Sequence, residues 1–285
     1  MIQDLLQRPK ADIMEIVKFL GADLLPNQEH VFLKVRDFAQ SMVVTHPGWG
    51  KTSMVALLAF TYALMFPGRR IGCFTYSWEQ SSIIYDYLRE IIDKNEWVQP
   101  AIRECRKNGS RWTVRFNEAV GLNPSRIDSF SLHNASHLKG YRCHTVILDE
   151  AQDIPQEFFR FYFRPMVVTG SDPVSAMRYY TEKESIDNMR FLSIKMKMLA
   201  LHDLETNYGG HQPMNQVIVF TGARHKGHYL YDFYQKWTED PESFTATYPL
   251  RETPKGFVDT HVLREVKQEM SNSMWKAAYE GEWED

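Results

Sequence analysis

Residues 42–52, MVVTHPGWGKT, restrict what this chain can fold into more than any other stretch. An apolar, β-branched run enters a tight turn that ends in Gly50-Lys51-Thr52, and an amphipathic segment from Ser53 to Met65 follows at once. Strand, glycine-bearing turn and helix in that order make a phosphate loop. Its backbone N–H groups turn inward on phosphate oxygens, and the helix N-terminus favours an anion. The phosphates would run along Pro47, Gly48, Trp49, Gly50 and Ser53. Lys51 would reach the β and γ phosphates, and the Thr52 hydroxyl would ligate Mg²⁺. The full pattern G-x-x-x-x-G-K-[ST] opens on glycine, where this chain has Thr45, and Gly48 supplies some of the lost freedom. Trp49 either stacks on a base or packs locally.

Such a loop needs a second component that holds the metal and activates water. The fully apolar strand Thr145-Val146-Ile147-Leu148 ends in Asp149-Glu150. A carboxylate at the end of a buried strand suits Mg²⁺, and its neighbour suits a general base. Asp149 takes the first role and Glu150 the second.

The segments between these points alternate. Residues 11–20 and 29–38 read as helices, 42–44 as a strand, 70–75 as a strand and 78–92 as a long helix. A helix of that length between strands is the crossover of a parallel sheet. Residues 103–116 read as a hairpin, 126–132, 216–221 and 244–247 as strands, and 229–237, 259–270 and 272–279 as helices. The expected fold is α/β: one domain over 1–285, with a core from about 24 to 250. An insertion of about 170–215 and a helical lid of about 255–285 complete it.

The hairpin carries Arg103, Arg106, Lys107, Arg111 and Arg115, the most basic stretch of a chain whose net charge is −3. Contact with nucleic acid must therefore come from a local patch such as this one, and it would be with phosphates. No run approaches the roughly 18 apolar residues of a membrane span, and the N-terminus lacks a signal-peptide pattern. Three widely spaced cysteines fit reduced thiols. His133, His137, Cys143 and His144 make a poor zinc set, because adjacent strand residues face opposite ways.

Taken in order, several motifs resemble one family. They are Gln28 near a helix, the loop without its first glycine, Thr75-Tyr76-Ser77 with Gln80, Leu138-Lys139-Gly140 ahead of VILDEA, Thr221-Gly222, and the closing YEGEW. The set is similar to the ATPase domain of the large terminase subunit of tailed bacteriophages, from about Pro26 to Trp283. The resemblance implies a P-loop NTPase of RecA-like type. ATP and Mg²⁺ would be its ligands, and double-stranded DNA, a homo-oligomeric ring, a portal protein and a small terminase subunit its partners, in the host cytoplasm. It implies that Gln28 contacts adenine and that Thr221 couples the γ phosphate to subdomain motion. It also implies that a basic residue, Lys139 or Arg142, reaches a neighbouring subunit's nucleotide. The nuclease that usually follows is not expected within these residues. Two other readings share the motifs: a helicase-like module, for which too little chain follows residue 222, and a slowly hydrolysing ATP-switch scaffold.

Overall fold

The computed structural model describes residues 13–66, 68–108, 111–117, 124–133, 138, 140–167, 215–254 and 256–284. The expected insertion and the candidate finger Lys139 therefore lie outside the described residues. Helices α1 (Ile13–Phe19) and α2 (Pro26–Val35) lead into β1 (Gln40–Thr45), α3 (Lys51–Met65), β2 (Arg70–Thr75) and α4 (Trp78–Lys94). Then come β3 (Ile102–Asn108), β4 (Arg111–Phe116), β5 (Arg126–Ser131) and β6 (Thr145–Leu148). A broken helix follows as α5 (Gln156–Phe158), a π-helical Phe159–Phe163 and α6 (Arg164–Val167). Strand β7 (Gln216–Thr221), α7 (Tyr229–Glu239) and β8 (Ser243–Tyr248) close the core. The C-terminal layer is α8 (Thr260–Glu269), α9 (Asn272–Trp275) and a π-helical Lys276–Glu280.

All eight described strands form one sheet in the order β3-β4-β5-β2-β6-β7-β1-β8. The run from β5 to β8 is parallel, and β4 and β3 add an antiparallel hairpin at one edge. Parallel strands need both faces covered, and alternation along each strand supplies two cores. Val43, Ile147, Ile218 and Phe220 face α1 to α4, whereas Val44, Val146, Leu148 and Val219 face the broken helix and α7.

Two expectations change. Helix α3 is not amphipathic: every residue from Met54 to Leu64 is buried. It lies between the sheet and other helices, so it is apolar all round. Helix α2 begins at Pro26, not near Glu29, because a proline at the first helical turn has the right φ and no N–H to lose.

Candidate nucleotide site

Strand β7 lies between β1 and β6, so the phosphate loop, the end of β7 and the acidic end of β6 emerge side by side on one edge of the sheet. Gly48 (φ 82°) and Gly50 (φ 91°) bend the loop through the left-handed region, which a side chain resists. A Cβ on Gly50 would also sit 3.2 Å from Gln28 Nε2 and 3.3 Å from Ser53 Oγ. Nothing but glycine fits that cradle without strain.

The loop is anchored from beneath. The Trp49 ring is fully buried and stacks on Tyr248, 5.8 Å between centroids. Trp49 therefore packs locally and offers no face to a base. His46 is buried too. Its Nδ1 lies 2.7 Å from the Pro47 carbonyl and its Nε2 2.7 Å from Thr253 Oγ1. The carbonyl can only accept, so Nδ1 carries the hydrogen and Nε2 accepts from the threonine. Burial lowers the His46 pKa and keeps the ring neutral. The Ser53 hydroxyl donates to the Gly50 carbonyl at 2.9 Å.

Gln28 lies against the loop. It is buried in the first turn of α2. Its Nε2 donates to the Trp49 carbonyl at 2.8 Å, and its Oε1 accepts from Leu25 N at 2.9 Å. Its amide holds the loop to the start of α2.

Four side chains converge above the loop. Thr52 Oγ1 donates to Asp149 Oδ2 at 2.7 Å, and Lys51 Nζ lies 3.3 Å from Glu150 Oε1. Asp149 is fully buried, and burial pushes its pKa up to about 6 against the pull of Thr52 and Lys51. A buried carboxylate beside a hydroxyl is a hard-oxygen pair that Lys51 only partly compensates, which is the donor chemistry Mg²⁺ prefers. Glu150 is the one non-glycine residue with positive φ (47°) among the described residues. Strain of about 1–3 kcal/mol at such a position marks a residue whose surroundings dictate its placement.

Gln152 carries no role in the sequence motifs, although it stands two residues beyond the candidate base. It sits in a 3₁₀ turn, Ala151–Asp153. Its Nε2 donates to Glu150 Oε2 at 2.5 Å, and its Oε1 accepts from Thr221 Oγ1 at 2.9 Å and Gly222 N at 3.0 Å. Thr221 lies at the acidic edge, joined to it through this amide.

The remaining candidates lie elsewhere. Arg142 precedes β6 at the end of the sheet where the parallel strands begin, away from the loop of its own chain. It is exposed and lines a surface groove with Glu157, Phe161 and Met166. The basic hairpin forms the sheet edge, but its charges are partly spent internally. Arg106 and Arg115 both pair with Glu104, at 3.1 and 3.3 Å. Arg111 approaches the buried Asp128 at 3.7 Å, and Lys107 Nζ lies over Trp112, 4.1 Å from its ring centroid. Arg103 also sits on β3. β3 and β4 carry five cations and one carboxylate, and Asp128 of β5 is shared between Arg111 and Arg126, so the edge keeps a positive balance. Cys143 is buried in the core, and His144 Nδ1 accepts from Arg70 N at 2.9 Å.

The sequence matches no family model and no curated protein. Solved structures do match. The Thermus phage P74-26 large terminase ATPase domain superposes with a TM-score of 0.63 at 15% identity, over 94% of this chain and 97% of that one. The HK97 bacteriophage large terminase matches at 0.56 and 15% identity, over 95% of this chain but 48% of that one. The large terminase of a thermophilic bacteriophage, in complex with ADP, matches at 0.55 and 9% identity, over 92% of this chain and 54% of that one. The fold is that of these phage large terminase ATPase domains, one sheet with helices on both faces.

Proposed function

We propose that this chain is an ATP-hydrolysing motor domain that drives double-stranded viral DNA into a prohead. The observation that carries the reading is the convergence of Lys51, Thr52, Asp149 and Glu150 across β1 and β6. The fold is one in which a similar large terminase has been described with ADP. The phosphates would lie against the loop N–H groups between Gly48 and Thr52. Lys51 would exchange Glu150 for phosphate oxygens. Glu150 would then accept a proton from water as the water oxygen bonds the γ phosphorus and the bond to ADP breaks. Held by Thr52 and Asp149, Mg²⁺ would supply charge neutralisation on the phosphates.

DNA translocation, a ring of copies, and portal and small-subunit partners extend this reading. The net positive edge of β3 and β4 supports a phosphate contact that a ring would multiply, and the exposure of Arg142 suits a residue offered to a neighbouring copy. No described helix is long and apolar enough to cross a membrane, and the host cytoplasm is the proposed compartment. A concentration series of ATPase activity, with and without duplex DNA, tests this. Specific activity that rises with protein concentration and with DNA supports shared sites on a translocase. Flat, DNA-independent turnover favours the ATP-switch reading, which the internal pairing of the hairpin arginines would fit.

A further inference from the structure

The Glu150 carboxylate is held at both oxygens. One lies against Lys51, and the other accepts from Gln152 Nε2. The same Gln152 amide accepts at Oε1 from the Thr221 hydroxyl and the Gly222 N–H. One planar group with fixed dimensions therefore spans the base and the end of β7, and it cannot keep both attachments if one of them moves. The residues beyond Gly222 are tied in turn to another part of the fold. Arg224 pairs with Asp153 at 3.0 Å. Glu284 N donates to the Arg224 carbonyl at 3.0 Å and Lys226 N donates to the Glu284 carbonyl at 2.5 Å, making a parallel bridge between His225 and Glu284. Tyr229 closes the circuit by donating its hydroxyl to the Ile154 carbonyl at 2.5 Å.

A phosphate on Lys51 brings a second anion beside Glu150, and the repulsion between the two drives the carboxylate off the ammonium it rests against. We propose that Gln152 is the positioning residue that carries this displacement from Glu150 to Thr221-Gly222, and so to the paired segments 222–228 and 282–284. The inference rests on the ATPase reading and names the element that reports the state of that site. Gln152 touches neither substrate nor metal in this role; it acts through Glu150. Its two-ended amide makes the claim specific, because a hydrophobic or one-ended side chain of similar length would pack there and fail to couple.

The test uses the full chain, with Mg²⁺ and ATP-γ-S as the probe for exchange and ATP for turnover. In wild type, ATP-γ-S should change amide hydrogen exchange in peptides covering 222–230 and 276–284. Gln152→Leu should keep KM within about threefold and lower kcat by about 10- to 100-fold, the usual scale for removing a supporting hydrogen bond. It should also raise exchange at 222–230 without nucleotide and abolish the nucleotide-induced change. Gln152→Glu keeps the acceptors for Thr221 and Gly222 but cannot donate to Glu150. It should show wild-type exchange without nucleotide, yet lack the nucleotide-induced change and lose kcat similarly. This second variant guards against a misfolded Gln152→Leu, and thermal melts report folding for both. A wild-type kcat in Gln152→Glu, or a nucleotide-induced change that survives in it, overturns the inference while leaving the ATPase reading intact. Failure of the wild-type chain to bind ATP-γ-S overturns the ATPase reading and the inference with it.

Discussion

Asp149→Asn should make the metal-free protein more stable at neutral pH. The Asp149 carboxyl is fully buried and burial raises its pKa from 3.8 to about 6. The folded chain therefore holds this proton more tightly than the unfolded chain does. That contribution to stability is fully present below the unfolded value and is lost as pH rises through the folded one. A shift of about two units at about 1.4 kcal/mol each makes the ionised state about 3 kcal/mol less favourable to folding than a neutral side chain would be. By pH 5 about half of this penalty has set in, and by pH 8 all of it has. Asparagine removes the titration at the cost of a poorer partner for Thr52 and Glu150 N, about 1 kcal/mol at any pH. The discriminating quantity is therefore the difference between the two pH values. In EDTA, the Tm advantage of Asp149→Asn over wild type should grow by about 3–6 °C between pH 5 and pH 8, from roughly half of that ionisation penalty at this chain length. Adding Mg²⁺ and ATP-γ-S should then raise the wild-type Tm by more than the variant's, since a ligand stabilises the folded state in proportion to its affinity for it. An advantage equal at both pH values, or larger at pH 5, would mean that burial does not outweigh Lys51 in preparing this carboxylate for a cation.

Three further outcomes are expected. Lys51→Ala should abolish ATP turnover and weaken nucleotide binding, read by fluorescent-nucleotide titration; turnover within tenfold of wild type would remove Lys51 from the site. Trp49→Ala should lower stability by about 3–5 kcal/mol, the usual cost of emptying a buried aromatic site, measured by urea denaturation. An unaffected midpoint would mean that the ring does not anchor the loop. Reversing charge at Arg106 and Lys107 together should weaken duplex DNA binding and flatten its salt dependence by about one to two units of log–log slope. Basal ATPase should persist, and an unchanged slope would move the DNA contact away from this edge.

The strands are legible in the sequence because their signals are local and unopposed. Thr145–Leu148 and Gln216–Thr221 are apolar on both faces and bounded by polar residues, which only a covered parallel strand tolerates. Asp149 and Glu150 are legible from the same geometry, as charges at the end of such a strand. What escapes depends on partners distant in sequence. No pattern in residues 42–52 says that Trp49 turns inward, because that depends on Tyr248 arriving beside β1 on strand β8. His46 likewise owes its role to Thr253. Gln28 carries a signal that competes with the resemblance: Leu25-Pro26 reads as a helix start, and a glutamine three residues past the cap is poised to accept from the cap's own N–H. The apolar-all-round character of α3 is present in residues 54–64, but a helix following a phosphate loop suggests one exposed side, and only burial under α1 and α4 explains its absence.

The pairing of Lys51 with Glu150 has a consequence that runs against intuition for a catalytic base. In the chain as it stands, Glu150 competes with phosphate for the ammonium, 3.3 Å away, and Gln152 holds its other oxygen. Removing that competitor should tighten nucleotide binding even as it removes the proposed base. The Glu150 side chain is 27% exposed, so water screens the pair and its worth is at most about 1 kcal/mol. Glu150→Gln should therefore bind ATP-γ-S tighter than wild type by up to about fivefold. Its turnover should fall by about 10²–10⁴-fold, the contribution of a positioned general base. The two effects have opposite signs and one structural cause, which separates this account from general damage to the site. Isothermal titration of ATP-γ-S and single-turnover hydrolysis measure them independently. Weaker binding by Glu150→Gln would mean that the carboxylate helps hold the nucleotide instead of yielding to it, and the resting contact with Lys51 would then have no bearing on how the site fills.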